Sequence, residues 1–301
     1  MNKKNISKAQ FDLLVPVDFK IFCLKALDYA MKLQTKINAR IHLLHVIESQ
    51  SWWDDMFNLN EFKVNATRKL VALKEEYNLP DNTEIKVLDG KTKNEITSYA
   101  IEINARYIIM ADNYPLASGS KRLGSTLSQV IMKAQEPVIS ITNKEDRIFQ
   151  NIVVPLDLNR TSRMQLYNSV AMALTHNAKI HLVSVLFGKS ELRSSRINEK
   201  IEKYKKTYEE NGVEYKVELL VKEENMAYKS ILKYCEQNDI DTILIMTHKE
   251  SATFDNYLGA FAQHIINEAT MPVVSINNAS AQYWEKNLQD TKDISFGLFS
   301  M

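Results

Sequence analysis

Two aspartates, Asp18 and Asp157, are each the last residue of a Pro-x-Asp pattern that closes a short apolar segment. β-Branched runs of this length are typical of buried parallel strands, and open α/β sheets bind ligands at the carboxyl ends of their strands. The pattern therefore predicts that each carboxylate reaches a ligand-binding edge. A turn or a helix cap after the strand is the structural alternative for the same two residues.

The two segments belong to a repeat that covers most of the chain. DLLVPVDF at Asp12–Phe19 returns as NIVVPLDL at Asn151–Leu158, an offset of 139 residues. Towards the end of each unit, the sequence that begins at Gly124 aligns with the one that begins at Gly259, at an offset of 135 residues. Self-similarity over such a span predicts two domains of the same fold.

Each unit alternates strand-like and helix-like segments, which is the pattern of an α/β fold with a parallel sheet. We predict one domain over residues 1–146, a second over 147–277 and a C-terminal tail over 278–301. The last strand of each unit, Val138–Ile141 and Val273–Ile276, is apolar throughout and would leave an aggregation-prone edge if it stayed unpaired. We therefore expect the two repeats to pair through these strands within one chain.

A polar and aromatic segment, Ser51–Asn60, separates the second predicted strand from a predicted helix that begins at about Glu61. It is expected to interrupt the regular structure. Its adjacent tryptophans, Trp52 and Trp53, either form a binding lid or pack against the domain or its neighbour.

The composition excludes several classes of protein. The 301 residues are 45% hydrophobic and carry a net charge of +1, so nothing predicts binding to nucleic acid or to an anionic membrane. No apolar run is long enough to span a bilayer, and no secretory signal is evident at the start of the sequence. The two cysteines, Cys23 and Cys235, lie in predicted helices of different repeats and form neither a disulfide framework nor a metal motif. We expect a cytoplasmic protein.

The two units resemble the universal stress protein family. The resemblance covers about residues 11–142 and 150–277, and it rests on a strand ending VP-x-D, a strand reading LLHVI, a fourth strand ending IIM, a helix opened by Gly-Ser and a Pro-Val strand. It implies a five-stranded parallel sheet in each domain, of the adenine-nucleotide hydrolase-like, Rossmann-like type. The first-strand aspartate and the loop after the fourth strand would then flank a crevice.

In nucleotide-binding members of the family, that loop reads G-x-x-G, nine residues, then G-S/T. Bare backbone amides and a helix N-terminus then surround the phosphates. The first two glycine positions are replaced in both units, by Ala111 and Tyr114 in the first and by Met246 and Lys249 in the second, where Ala260 also replaces the Ser/Thr. Side chains at these positions would occupy the space of the triphosphate, so we expect no robust ATP binding.

The family positions that remain define one candidate site in each domain. In the first domain the resemblance places a ribose-binding carboxylate at Asp18 and an adenine-contacting backbone at Val46. The phosphate end of this site comprises Lys121, Arg122, Gly124, Ser125 and Thr126. The degenerate site of the second domain comprises Asp157, Val185, His248 and Gly259. A core position is the alternative role for both valines.

The charged pair that precedes Gly124 distinguishes the two candidate sites. Lys121 and Arg122 are cationic, whereas the matching Asn256 and Tyr257 are neutral. Any anionic ligand is therefore expected in the first domain.

Histidines and catalytic motifs give little support to an enzyme. None of the six histidines forms an HxxxH pair or a Cys/His cluster, and His42 and His181 occupy matched strand positions that favour a repeated structural role. The sequence contains no P-loop, nucleophile elbow or paired dinucleotide-binding glycines. The leading hypothesis is a non-enzymatic, cytoplasmic stress-response or regulatory protein.

Two alternatives remain to that hypothesis. The first is a sensor of an adenine nucleotide or another small anion in the first-domain crevice, and the second is a slow ATPase. An adenine nucleotide is the cofactor that the resemblance allows. A homodimer and an unidentified protein partner stay open.

Overall fold

The computed structural model describes residues 11–48, 52–111, 123–142, 147–156, 163–187, 195–222, 226–247 and 258–277. The first half contains β1 (Phe11–Pro16), α1 (Cys23–Ile37), β2 (Ala39–Ile47), α2 (Trp52–Glu76), β3 (Glu84–Asp89), α3 (Thr92–Glu102), β4 (Tyr107–Ala111), α4 (Ser125–Lys133) and β5 (Val138–Ile141). The second half contains β6 (Asn151–Pro155), α5 (Arg163–His176), β7 (Lys179–Phe187), α6 (Ser195–Glu210), β8 (Tyr215–Lys222), α7 (Ala227–Gln237), β9 (Thr242–Met246), α8 (Ala260–Glu268) and β10 (Val273–Ile276). The predicted alternation of strands and helices is confirmed.

The described strands form one ten-stranded sheet in the order β3-β2-β1-β4-β5-β10-β9-β6-β7-β8. Pairing is parallel within each half, whereas β5 and β10 pair antiparallel at the centre. Helices α1, α2, α5 and α6 cover one face, and α3, α4, α7 and α8 cover the other. The α/β fold with two five-stranded units is confirmed, and the two units share a single sheet.

Matched asparagines end the first helix of each half. Asn38 and Asn177 adopt left-handed backbone conformations, with φ of 54° and 52°. The N–H of Asn38 donates to the carbonyl of Gln34, which closes the last turn of α1 before β2 begins. Asparagine tolerates this conformation better than most residues, so the same sequence signal ends the same element twice.

The central strands β5 and β10 join the two halves through buried apolar residues. Ile139 lies opposite Val274 in the antiparallel register, and neither side chain is exposed to solvent. Each strand thus covers the edge that the other would present, as the sequence predicted for this pair.

Polar side chains reinforce this junction at matched positions. Thr142 Oγ1 donates to the carbonyl of Ala269 at 2.9 Å, and Asn277 Nδ2 donates to the carbonyls of Ala134 at 2.8 Å and Ile131 at 2.9 Å. These carbonyls belong to the C-terminal ends of α8 and α4, where helices leave backbone acceptors unpaired. Each half therefore satisfies the helix end of the other.

A second contact between the halves surrounds Phe149, in the segment that enters β6. Its ring is fully buried and lies 4.1 Å from the ring of His176 and 5.8 Å from that of Tyr107, measured between centroids. The Tyr107 hydroxyl lies 2.8 Å from His176 Nε2. Lys36 donates to the carbonyls of Ile148 and Phe149. Burial, and then the charges of neighbouring cations, hold the pKa of His176 well below its usual value, so this histidine is neutral.

The prediction that Ser51–Asn60 interrupts regular structure is wrong, because α2 begins at Trp52 and continues for 25 residues. A helix of that length extends about 37 Å. Lys63 pairs with Asp89 at the carboxyl end of β3, so the residues of α2 that precede Lys63 project beyond the sheet. Trp52, Met56 and Leu59 recur there at helical spacing, and the polar residues between them obscured this signal.

Candidate ligand site

A topological switch point occurs in each half of the sheet. The strand order reverses between β1 and β4, and again between β6 and β9. The chain leaves β1 for α1 on one face, whereas β4 leads to α4 on the other face. Such reversals open a crevice at the carboxyl ends of the strands, which is where open α/β sheets bind ligands.

Side chains of the second strand hold the segments that bound each crevice. His45 Nδ1 lies 2.7 Å from the carbonyl of Val17, and Ser184 Oγ donates to the carbonyl of Leu156 at 2.8 Å. Both side chains occupy matched positions, at the repeat offset of 139 residues. Neither role was predicted from the sequence, and the shared position of the two residues in the repeat was the available signal.

Asp18 stands at the start of the segment between β1 and α1. Its side chain is 53% exposed, accepts a hydrogen bond from the Lys20 N–H at 3.0 Å and lies 3.5 Å from Lys20 Nζ. Burial, and then the charge of Asp18, raise the pKa of the Cys23 thiol at the start of α1. Asp18 therefore performs the turn-forming role that was its alternative, while its exposed carboxylate remains at the predicted edge.

Val46 and Val185 lie where the second strand of each half extends beyond the end of the first strand. β1 ends opposite Leu44, and β2 continues to Ile47 along β3. The side chain of Val46 is half-buried and packs against the core beneath α3 and α4, and Val185 does the same in the second half. The two valines thus pack against the core and also border a switch point.

The start of α4 is more open than the start of α8. Gly124 and Gly259 precede these helices in nearly the same extended conformation, with φ of −60° and −56°. Gly124 is half-buried, whereas Gly259 is buried beside Leu258, which is 1% exposed; the residues that follow, Ser125 and Ala260, are both exposed. Thr126, in the first turn of α4, is half-buried. An anion at a helix N-terminus therefore has access in the first half.

β4 and β9, the strands beside the two switch points, each end in a residue that carries a side chain. Ala111 is the last residue of β4 and is half-buried, and Met246 is the last residue of β9 and is 9% exposed. The methionine packs into the core beneath α5 and α6. The carboxyl end of β9 is thus filled more completely than that of β4.

The two matched strand histidines perform one structural task. His42 Nδ1 lies 3.1 Å from the Tyr99 hydroxyl, and His181 Nδ1 lies 2.9 Å from the Tyr234 hydroxyl. Burial, followed by nearby lysines, lowers the pKa of His181 to about 4. Each buried pair links the second strand of its half to a helix that packs on the sheet, α3 in the first half and α7 in the second. The predicted structural role is therefore confirmed.

Several residues named from the sequence lie outside the described part of the chain. They are Tyr114, Lys121, Arg122, Asp157, His248 and Lys249, together with the tail 278–301. Among the described residues, no group of three His, Cys, Asp or Glu side chains is arranged to hold a metal ion. None of the described helices is both long and apolar enough to cross a membrane.

Comparison with known proteins gives the same division of the chain. The sequence profile of the universal stress protein family matches residues 12–141 and, a second time, residues 148–277. The chain belongs to the universal stress protein family. It is a tandem member, because each half carries a full match.

Relatives of this tandem universal stress protein match either half or the whole. A universal stress protein of Methanocaldococcus jannaschii is 24% identical over 149 residues, which cover 46% of this chain and 85% of the relative. A crystal structure of a universal stress protein from Archaeoglobus fulgidus has a TM-score of 0.67 at 19% identity and covers 88% of this chain and 98% of that one. A protein of unknown function from Pseudomonas aeruginosa has a TM-score of 0.59 at 16% identity, covering 94% and 98%. At these identities, the solved structures support the tandem fold alone.

Proposed function

We propose that this tandem universal stress protein is a cytoplasmic, non-enzymatic stress-response or regulatory protein that does not bind ATP robustly. The observation that carries the proposal is the side chain at the end of the strand before each switch point. Ala111 and Met246 stand where nucleotide-binding members of the family carry glycine. Glycine permits a phosphate to approach the backbone closely, and a Cβ or a longer side chain removes that space.

The buried Met246 makes this argument strongest for the second half. Its side chain is part of the apolar core and is 9% exposed, so it does not turn away at low cost. Ala260 follows Gly259 without a hydroxyl to meet a phosphate. The second half therefore acts as a structural partner of the first.

We predict that millimolar ATP with Mg²⁺ shifts the melting temperature of the full chain by less than about 1 °C. A ligand at 100 times its dissociation constant would add about 2.7 kcal/mol of stability, which corresponds to a shift of roughly 4 °C at this chain length. Differential scanning fluorimetry, with Mg²⁺ alone as the reference, measures the difference. A concentration-dependent shift of several degrees would show that Ala111 and Met246 leave the cradle open.

The second candidate function is a sensor of an adenine nucleotide or another small anion in the first-half crevice. The accessible start of α4, contrasted with the buried Gly259, favours this half. Ser125 and Thr126 bring hydroxyls and N-terminal amides to the proposed phosphate end, and Lys121 and Arg122 bring positive charge. Asp18 and Val46 complete the proposed site at the ribose and adenine end. A slow ATPase is the weaker alternative, because no general base has been identified.

We predict that AMP, if it binds, loses its site in a Lys121→Ala, Ser125→Ala double variant and keeps it in Asp157→Ala. Each lost charge-assisted contact is worth about 1.5–3 kcal/mol, so the double variant weakens binding by at least about tenfold. Isothermal titration calorimetry at millimolar AMP measures both variants beside the unsubstituted chain. Loss of binding in Asp157→Ala alone would move the site to the second half.

A further inference from the structure

A cavity of about 410 Å³ opens between the segment that follows β1 and the later turns of α2. It borders α1 and α2, on the face of the sheet opposite to α4. Val46, Ala111 and Gly124 do not line it. The cavity is therefore separate from the crevice considered above, although both border the segment that contains Asp18.

The lining of this cavity is mostly apolar. Seven of the ten lining side chains are apolar, among them Phe19, Ile21, Leu24 and Leu73. Ile21 is 74% exposed to solvent, so the cavity is open on this side. Clefts of this volume with a mainly apolar lining are typical of small-molecule sites, and this one is open to solvent at Lys20, Lys69 and Ala72.

Positive charge is concentrated at one end of the cavity. Lys69 Nζ lies 5.3 Å from the ring centroid of Phe19, and Lys20 follows Phe19 directly in the chain. The lining carboxylate, Glu76, is seven residues further along α2, which places it about 10 Å away along the helix axis. The exposed carboxylate of Asp18 offsets part of the charge of Lys20, so Lys69 provides the main cation.

Contacts within the protein hold the aromatic wall of the cavity in place. Phe19 has a left-handed backbone with φ of 59°, a conformation that is uncommon for an aromatic residue. Its ring lies 4.5 Å from the ring of His45, measured between centroids, and His45 is itself bonded to the carbonyl of Val17. A preorganised wall lowers the entropic cost of binding.

Beneath α6, buried aromatic rings occupy the core of the second half. The turns that follow α2 and α6 each contain a residue in the left-handed conformation, Asn78 and Gly212. Aligning these two residues aligns the sequences of the two helices. In that alignment Tyr204 stands where α2 has Leu70, and it is buried together with Tyr208. The two halves have thus diverged at this buried position, with the smaller side chain in the first half.

We propose that this cavity binds a small amphipathic anion, specifically a medium-chain aliphatic carboxylate. The alkyl chain occupies the apolar part between Ile21, Leu24 and Leu73. The carboxylate meets Lys69 and Lys20 at the charged end. This site goes beyond the proposed function, because it uses none of the residues assigned to a nucleotide.

The proposal is tested by calorimetric titration of the full chain with three probes of equal chain length, each below its micelle concentration. Decanoate is expected to bind at one saturable site per chain, decanol at least about tenfold more weakly, and decyltrimethylammonium not at all, because its head carries the opposite charge. Equal affinity for the three probes, or the absence of saturable decanoate binding, would overturn the proposal.

Three variants locate the site. Ala72→Trp fills the cavity from an exposed position of α2 and is expected to abolish decanoate binding. Lys69→Glu is expected to weaken it at least about tenfold, while Lys203→Glu, the matching exposed position of α6, leaves it unchanged. Because Lys69 is exposed, that variant remains informative if Ala72→Trp does not fold. Unchanged binding in Lys69→Glu, or equal loss in Lys203→Glu, would contradict the assignment.

Discussion

Replacing Phe149 with alanine is expected to lower the free energy of unfolding by about 3–5 kcal/mol, the usual cost of deleting a buried aromatic ring. The ring has no solvent exposure and contacts Tyr107 in the first half and His176 in the second. The cavity left behind would lie between the two halves and open the contact that joins them. Chemical denaturation followed by circular dichroism measures the change.

Phe62→Ala is the matched control for this prediction. Phe62 is 47% exposed on α2, so the same deletion there is expected to cost less than about 1 kcal/mol. A loss at Phe149 no larger than the loss at Phe62 would mean that the described ring contacts do not stabilise the junction.

Replacing Glu136 with glutamine is expected to stabilise the protein at pH 8 by about 1–3 kcal/mol and to change little at pH 4.5. Glu136 lies between α4 and β5 and is 1% exposed, and its Oε2 atom has no hydrogen-bond partner among the described residues. Burial raises the pKa of its carboxyl from 4.5 to about 7. The folded protein therefore keeps a proton between pH 4.5 and 7 that the unfolded chain releases, so stability falls as pH rises through this range.

The test is the difference in unfolding free energy between Glu136→Gln and the unsubstituted chain, measured from pH 4.5 to pH 8. Glu199→Gln, on the exposed side of α6, is the control and is expected to show no such divergence. The second half carries a buried methionine, Met271, at the position that matches Glu136, so Glu136→Met is expected to be tolerated as well. Parallel pH profiles for Glu136→Gln and the unsubstituted chain would refute the prediction.

Most of what could be predicted about the fold followed from the internal repeat of the sequence. Once Asp12–Phe19 and Asn151–Leu158 are aligned, each strand of one half supports the assignment of its counterpart, and the pairing of β5 with β10 follows from two apolar edges that need cover. The structural role of His42 and His181 was predictable for the same reason, since a matched position favours a matched partner. Periodicity within an element and repetition between the halves are both read directly from the sequence, and both are strong in this chain.

Features that depend on side-chain shape were not predictable. The start of α2 at Trp52 was missed, because closely spaced polar residues interrupt the apolar ones in Ser51–Asn60. Burial of Glu136 and the cavity beside Phe19 arise from residues that are distant in sequence, so the spacing of residues along the chain does not predict them. The candidate crevice was predicted from family positions, and the topology places Asp18, Val46 and the start of α4 at one edge of the sheet.

The pairing of β5 with β10 inside one chain also frees the two halves from symmetry. In a dimer of identical subunits, every substitution appears on both sides of the two-fold axis, so it must be compatible with its own copy across the interface. Here each position exists once, so Thr142 faces one helix end while Asn277 faces the other, and a glutamate on one side is matched by a methionine on the other. Association is also intramolecular, so the pair stays assembled at copy numbers where separate subunits would dissociate. A tandem arrangement of this kind allows one half to keep the shared architecture while the other half changes its surface.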